Sequence, residues 1–423
     1  MNTDVSKLKF HSDVKKFDLD GIPTIGNFRN QVIIGLDQVG VDLILKIESE
    51  KIDQDRLTDK QKKLFEALKN NDFFEKESES NKNKNKKLLS TVYLHVTDNC
   101  NLHCIGCYSY KKNRNQNKDL SLDQIKYILK ILSKNGVSNI IVSGGEPFLR
   151  DDLLEILKYS KEILNIKNIG VVSNGTISIE KYDKCLSFID ELSISIDGYD
   201  TKTRFIRDPG IMSKVFETIN YLKNKINLSL VATLHKKNRC FIEKYIELSK
   251  SIKVPVSFSV LTVDNDNPMF KDYILDENDY KQIYEIVEKN KDIKTNDLFV
   301  DSCDLTAKNC CSAGKSLISI GTDGTIYPCY MLHREELSLG NILKDNLRQV
   351  LNSNKNIFRN LTVDDFKECS ECKYKYICGG GCRAGSYYIY KDFTHPKADC
   401  LQSKLYYKNI VDDIKYKFKI FNL

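Results

Sequence analysis

Beyond residue 90 the chain repeats one pattern: a short apolar run, a turn, and a longer stretch with helical periodicity. The apolar runs are "TVYLHV" from Thr91, "NIIVS" from Asn139, "IGVVS" from Ile169, "LSISI" from Leu192, "LSLVAT" from Leu228 and "VSFSV" from Val256. Their length, β-branched content and bounding turn residues predict strands. Between the first two, "SLDQIKYILKILSKNG" puts Leu122, Ile125, Leu129 and Leu132 on one helical face, with Ser121 as N-cap. Six such units predict an α/β fold over residues 91–295, a parallel sheet curled into a partial (β/α)6 barrel. On such barrels chemistry collects in the loops that follow the strands.

The flanks read differently. Within residues 1–75, "KKFDLDGIPTIGNF" and "QVIIGL" alternate as strands around Gly and Asn turns. Two helical stretches follow, "DQVGVDLILKIES" and "TDKQKKLFEALKNNDFF"; the second carries an apolar stripe of Leu64, Leu68 and Phe73 or Phe74 behind Thr58 as N-cap. Strands followed by helices in so few residues describe a winged-helix-like domain. Residues 76–90 hold a charged linker, "EKESESNKNKNKKL" being almost free of apolar side chains, and such a linker is expected to isolate the folds on either side. Residues 296–423 lose the alternation and gain cysteine.

Charge changes this picture little. The net +7 comes from 65 basic against 58 acidic residues, and part of the excess sits in "NKNKNKK", so no nucleic-acid partner is expected. A DNA-reading helix is also missing, because "DQVGVDLILKIES" has one lysine and more acids than that. No apolar run approaches the roughly 20 residues that span a bilayer, and the first residues lack a signal-type apolar core. We expect a cytoplasmic protein with no membrane partner.

Cysteine changes it most. There are 14, and in a reducing compartment clustered cysteines mean metal or redox chemistry. Cys100, Cys104 and Cys107 lie in the loop after the first predicted strand, and three thiolates leave a coordination position open where a structural zinc site closes with four. "GGEP" (Gly144, Gly145, Glu146, Pro147) follows the second strand, "SNGT" from Ser173 and Asn174 the third, and Asp197 ends the fourth. The six histidines are scattered, and no residue is nominated as a catalytic acid or base.

The Cys-x3-Cys-x2-Cys loop, with the loops after it, resembles the radical S-adenosylmethionine (SAM) superfamily. The resemblance implies a [4Fe–4S] cluster on Cys100, Cys104 and Cys107 whose fourth iron is chelated by SAM. It implies a SAM-amino site at Gly144, Gly145 and Glu146, and ribose or carboxylate contacts from Ser173 and Asn174. Ser195, Asp197 and Arg207 resemble the later part of the motif, and a guanidinium suits a carboxylate because it can pair with it bidentately. Gly106 stands where this family usually has an aromatic residue, and "RDPG" where it has Arg-Gly.

The C-terminal cysteines resemble the seven-cysteine SPASM pattern, which implies two auxiliary [4Fe–4S] clusters and three clusters in all. Cys369, Cys372, Cys378 and Cys400 would hold the distal cluster; Cys311, Cys329 and Cys382 would hold the proximal one, with Cys303, Cys310 or no residue as fourth ligand. "GTDGTIYPC" predicts a hairpin ending at Cys329. Cys185 and Cys240 are expected to be buried small hydrophobes. A zinc-binding cysteine protein is the structural alternative.

The first domain resembles the peptide-recognition element of ribosomal-peptide maturation systems. Together these resemblances imply a radical SAM/SPASM peptide maturase that binds a precursor peptide by its leader and forms a thioether of the sactipeptide or ranthipeptide type. A carbon–carbon crosslink, or formylglycine formation as in anaerobic sulfatase maturation, is the alternative. A low-potential donor such as flavodoxin or ferredoxin would supply the electron.

Overall fold

The computed structural model describes residues 8–49, 52–75, 89–110, 113–116, 118–290, 305–396 and 400–421; Cys303 therefore lies outside the described residues. The chain opens with three antiparallel strands, β1 (Val14–Leu19), β2 (Ile22–Asn27) and β3 (Val32–Gly35), in that spatial order. Asp20 and Gly21, with φ of 51° and 89°, close the first hairpin in the left-handed backbone that Asp-Gly supports. Helix α1 (Gln38–Glu48) starts where the Asp37 carboxylate accepts from Gly40 N, and α2 (Asp59–Asn70) starts at a Thr58/Gln61 capping box. Ile25, Leu43, Ile44, Ile47, Phe65, Leu68 and Phe73 enclose this domain's core. Phe65 takes the buried place expected of Leu64, which packs only at the edge.

All six predicted barrel strands form: β4 (Thr91–Thr97), β5 (Asn139–Gly144), β6 (Asn168–Ser173), β7 (Glu191–Ile196), β8 (Asn227–Leu234) and β9 (Val256–Val260). They are parallel neighbours in chain order. Helices α3 (Leu122–Lys134), α4 (Leu153–Lys158), α5 (Ile179–Cys185), α6 (Met212–Leu222) and α7 (Ile242–Ile252) fall between them, and α8 (Glu277–Lys289) follows β9. In β4, Val92, Leu94 and Val96 are fully buried in the main core, so Tyr93 and His95 project from the opposite face. That inner side is rich in hydroxyls: Ser193 Oγ lies 2.9 Å from Ser229 Oγ, and Thr233 Oγ1 3.4 Å from Ser259 Oγ.

The sheet does not stop at six strands. β10 (Leu317–Ile320) runs parallel to the other edge of β4, and β11 (Thr325–Tyr327) and β12 (Gly340–Asn341) extend it antiparallel. One nine-stranded sheet results, in the order β12-β11-β10-β4-β5-β6-β7-β8-β9. The cysteine-rich region is therefore welded to the barrel by backbone hydrogen bonds. Ser316 O accepts from Ser90 N and Thr91 N at 2.9 and 3.0 Å where the two meet. The expected hairpin forms, turning at Gly324 (φ 83°) and setting Cys329 just beyond β11. Four helices complete the chain: α9 (Leu347–Asn352), α10 (Lys375–Cys378), α11 (Arg383–Tyr390) and α12 (Cys400–Phe421).

The isolation expected of the linker is corrected by the packing. The face of the N-terminal sheet that carries Phe17, Leu19, Ile22 and Ile33 lies on Tyr374, Ile377, Tyr407 and Val411 of the C-terminal region. Asp20 accepts from Lys373 at 2.7 Å and Lys415 at 3.0 Å, Lys15 pairs with Asp364 at 2.5 Å, and Ala307 N donates to Gln31 O at 3.2 Å. A charged linker removes no apolar face from the domain it follows, and this one has two. Leu19→Ala should cost the seam about 2–5 kcal/mol, seen as release of residues 8–75 in limited proteolysis; an unaltered cleavage pattern would count against the seam.

Candidate functional site

The loop after β4 is held by side chains on every side. Asp119 accepts from Thr97 Oγ1 at 2.5 Å, Asp98 N at 3.1 Å and Asn99 Nδ2 at 3.2 Å. Asn115 clips Cys100 from both directions, accepting from its N–H at 2.8 Å and donating to its carbonyl at 3.1 Å. Arg114 Nη2 donates to Cys107 Sγ at 3.3 Å and to Ser109 Oγ at 3.2 Å. Gly106 has φ 70°, and a Cβ there would sit 2.7 Å from Leu261 Cδ1 and 3.1 Å from Val263 Cγ1. The chain after β9 thus fills the space that an aromatic residue at this position would need.

The three thiols have different electrostatics. Burial raises Cys100, and raises Cys104 to about 11 with Arg207 opposing. Burial acts on Cys107 too, but the Arg114 charge and hydrogen bonds from Ser109 and Arg114 outweigh it and lower that thiol.

"GGEP" packs against the same loop. A Cβ on Gly144 would lie 2.2 Å from Thr97 O, and one on Gly145 2.2 Å from Asn99 O. Gly145 N and Glu146 N donate to those two carbonyls at 2.8 Å each. The glycines let two backbone segments touch, which the expectation of a ligand approaching them did not include. Glu146 is fully enclosed: Oε1 accepts from Phe148 N at 3.2 Å and Ser173 Oγ at 3.0 Å, and Oε2 accepts from Asn174 N at 2.7 Å. Burial pushes its carboxyl up to about 7 against those three hydrogen bonds. It ties the loops after β5 and β6 together.

Asn174 reaches back to the cysteine loop, donating to Asn101 Oδ1 at 2.9 Å. Asp197 collects Phe205 N, Ile206 N and Arg207 N at 2.7, 3.0 and 3.2 Å, so its carboxylate shapes the turn that carries Arg207. His103 N donates to Asp208 at 3.0 Å and Ile105 N to Ile206 O at 2.8 Å, which brings that turn onto the cysteines. Arg207 Nε is buried without an acceptor. Ser195 stands on the inner side of β7, half-buried.

These residues fit the implied cluster and SAM. Three thiols share one loop, and a guanidinium nitrogen beside Cys104 awaits an anionic partner such as a carboxylate. Among the described residues no three His, Cys, Asp or Glu side chains converge as a single metal ion requires, and ligand sulfurs lie about 2.3 Å from a lone zinc.

The C-terminal cysteines separate into two groups. Cys369, Cys372, Cys378 and Cys400 line one small cavity with Tyr374 and Tyr407. Cys311, Cys329 and Cys382 share a different apolar cluster with Leu332, Phe358 and Phe393. Cys310 is not part of that cluster, and its sulfur accepts from Lys315 Nζ at 2.8 Å. Cys185 is buried as expected, whereas Cys240 is exposed, being in a short turn of helix ahead of α7.

Sequence reasoning passed over Arg114 and Asn115, and also an aromatic wall on the inner side of β4. Tyr330 stacks on Tyr93 at 4.2 Å and meets Tyr108 edge-on at 5.3 Å; His333 stacks between His95 at 4.2 Å and Tyr327 at 4.3 Å. Tyr108 is 37% exposed while its hydroxyl is fixed 2.6 Å from Ser143 Oγ. The signal was present in "TVYLHV", where polar aromatics alternate with aliphatics.

Comparison with known proteins agrees with this geometry. A radical SAM superfamily domain matches residues 94–248, and an iron–sulfur cluster-binding SPASM domain matches residues 310–373. An AdoMet-dependent heme synthase from Methanosarcina barkeri is 26% identical over 340 residues, 72% of this chain and 94% of that one. The mycofactocin maturase MftC of Mycobacterium tuberculosis is 25% identical over 321 residues, 72% of this chain and 80% of that protein. In fold, the chain is similar to Streptococcus suis SuiB bound to its precursor peptide SuiA (TM-score 0.60, 17% identity, 92% of this chain and 99% of that one). It is also similar to anSMEcpe with bound AdoMet (TM-score 0.63, 18% identity, 77% of this chain and 100% of that one).

Glu146→Gln would turn an amide NH2 toward one of the N–H or O–H donors now facing a carboxylate. A donor left unmatched in a buried site costs about 1–3 kcal/mol. We expect a lower thermal midpoint and weaker SAM binding by calorimetry in the same variant. Loss of SAM affinity at unchanged stability would instead make Glu146 a direct contact.

Proposed function

Because the chain is an enzyme that carries a radical SAM domain joined to a SPASM domain, we propose that it modifies a ribosomally made precursor peptide by forming a thioether. The observation that carries this reading is the N-terminal sheet. Among the described residues strand β3 pairs with β2 alone, and a groove beside it is lined by Gly35, Leu36, Asp37, Val39, Lys60 and Leu64. An edge strand next to a groove of mixed polar and apolar lining suits a leader peptide added as a further strand. The fold likeness to SuiB supports this, since its 92% coverage is more than residues 76–423 alone can supply. A formylglycine-forming enzyme would have no use for that groove.

In this reading Cys100, Cys104 and Cys107 hold the SAM-binding cluster, Arg207 takes the SAM carboxylate, and the loops of Gly144, Ser173 and Asn174 frame the ligand. Bound there, cluster and SAM supply a 5′-deoxyadenosyl radical for hydrogen abstraction, chemistry that belongs to the cofactor. The chain's share is placement: the loop ties made by Asp119, Asn115, Glu146 and Asp197 fix the parts, and Tyr93, Tyr108 and Tyr330 wall the space beside them. The Tyr108 hydroxyl is held in place there by Ser143.

Two auxiliary clusters would occupy the two cysteine groups. Cys311, Cys329 and Cys382 would serve the proximal one, with Cys310 or Cys303 as the candidate fourth ligand. With neither of these ligating, an open iron would be left to receive a precursor thiolate. The electron would come from a flavodoxin or ferredoxin in the cytoplasm; no helix among the described residues is long and apolar enough to cross a membrane.

The test is an anaerobic assay with a cysteine-containing precursor, with and without its leader. A thioether product loses two hydrogens, and its cysteine no longer alkylates; an aldehyde trapped by hydrazide would indicate formylglycine. Leader-independent turnover would sink the role given to β3. Replacing Cys100, Cys104 and Cys107 with Ala should remove about four of roughly twelve irons and all SAM cleavage, whereas loss of all iron would contradict separate cysteine sets.

A further inference from the structure

One side chain stands where the two C-terminal cysteine groups meet. The segment "CGGGCR" runs from Cys378 of one group to Cys382 of the other, and Arg383 follows. Gly379, Gly380 and Gly381 are all left-handed, with φ of 66°, 79° and 74°, a run that only glycine tolerates. The space a side chain would need is occupied as well, since a Cβ on Gly380 would lie 2.6 Å from the Phe366 ring.

Arg383 is 1% exposed, yet among the described residues no carboxylate pairs with it. Its guanidinium turns back on its own loop, Nε donating to Gly381 O at 3.4 Å and Nη2 to Gly380 O. Nη1 donates to Phe393 O at 2.6 Å and His395 O at 2.9 Å. The guanidinium lies 4.3 Å from the centre of the Phe366 ring, and Phe366 packs on Cys369. The sulfurs that bear on its charge are Cys311 and Cys382 from one group and Cys369 and Cys378 from the other.

Carbonyls satisfy the N–H groups but do not neutralise a buried charge, and an uncompensated buried ion is costly. Thiolates ligating the two clusters would supply the missing anions on both sides. We propose that Arg383 is a positioning residue shared by the two auxiliary clusters: it pins the glycine loop that separates them and lends each the same positive charge, so that both accept an electron more readily. The physical basis is that cluster potential follows net charge and hydrogen bonding around the sulfurs. This rests on the two-cluster reading above.

Arg383→Met and Arg383→Lys in the full-length, anaerobically reconstituted protein test it, by iron and sulfide content and by potential-controlled titration followed by electron paramagnetic resonance. In Arg383→Met both auxiliary couples should become at least tenfold harder to reduce, 59 mV for one electron, while the SAM-binding cluster does not move. Arg383→Lys, which keeps the charge, should stay within that margin of the unsubstituted protein. A shift in one auxiliary couple alone, or in neither, overturns the proposal. If Arg383→Met loses auxiliary iron, Arg383→Lys decides: retained iron with unshifted couples supports the shared charge, and lost iron or shifted couples leaves only the carbonyl clamp and sinks it. Iron for a single auxiliary cluster in the unsubstituted protein would instead defeat the two-cluster reading.

Discussion

The parallel pairing of β10 with β4 is the contact on which everything else is placed. It joins residues more than two hundred positions apart, Leu317 opposite Thr91 and Ile320 opposite Leu94. Because β4 leads directly into Cys100, and the β10–β11 hairpin leads directly to Cys329, one strand pair sets the first cysteine loop relative to the proximal cysteines. The pairing also covers an edge that the barrel would leave open. Thr322 Oγ1 then donates to Asp98 at 2.7 Å, so the hairpin turn braces the residue just ahead of the cysteine loop.

Around that seam, charge and hydrogen bonding are spent mainly on loops. Glu146, Asp119 and Asp197 are acidic groups whose oxygens accept from backbone N–H groups, and each holds a segment that bears another candidate residue. Such ties are expensive to break, because each leaves a buried donor without an acceptor. Arg207 and Arg114 each keep a buried Nε without an acceptor beside the cysteine loop, in a site whose backbone turns are closed by their own hydrogen bonds. A site of this design is largely formed before its ligand arrives, which reduces the ordering that binding must accomplish.

Much of this was legible in the residues. The barrel strands, the Ser121 and Thr58 caps and the hairpin before Cys329 follow from periodicity and turn chemistry, whereas the two cysteine groupings were implied by the resemblance to the SPASM pattern. Three things were not. Pairing between β10 and β4 is long-range, and local pattern carries no register information across such a distance. The role of "GGEP" as a backbone contact was hidden because Thr97 and Asn99, its neighbours in space, lie nearly fifty residues away. Docking of the N-terminal sheet was missed because Phe17, Leu19, Ile22 and Ile33 read as ordinary strand residues, and only their second face shows that two cores claim one sheet.

That doubly covered sheet bears on how such enzymes could be recombined. A recognition domain with one apolar face can be exchanged as a cassette, because everything it buries travels with it. Here one of the two covered faces is buried against Tyr374, Ile377, Tyr407 and Val411, which belong to the C-terminal region. Grafting residues 8–75 onto a different barrel would expose a greasy strip ending in an acidic tip at Asp20. On the function proposed above, retargeting to a new peptide is thus better done within the groove at Gly35 to Leu64, leaving the far side of the sheet untouched.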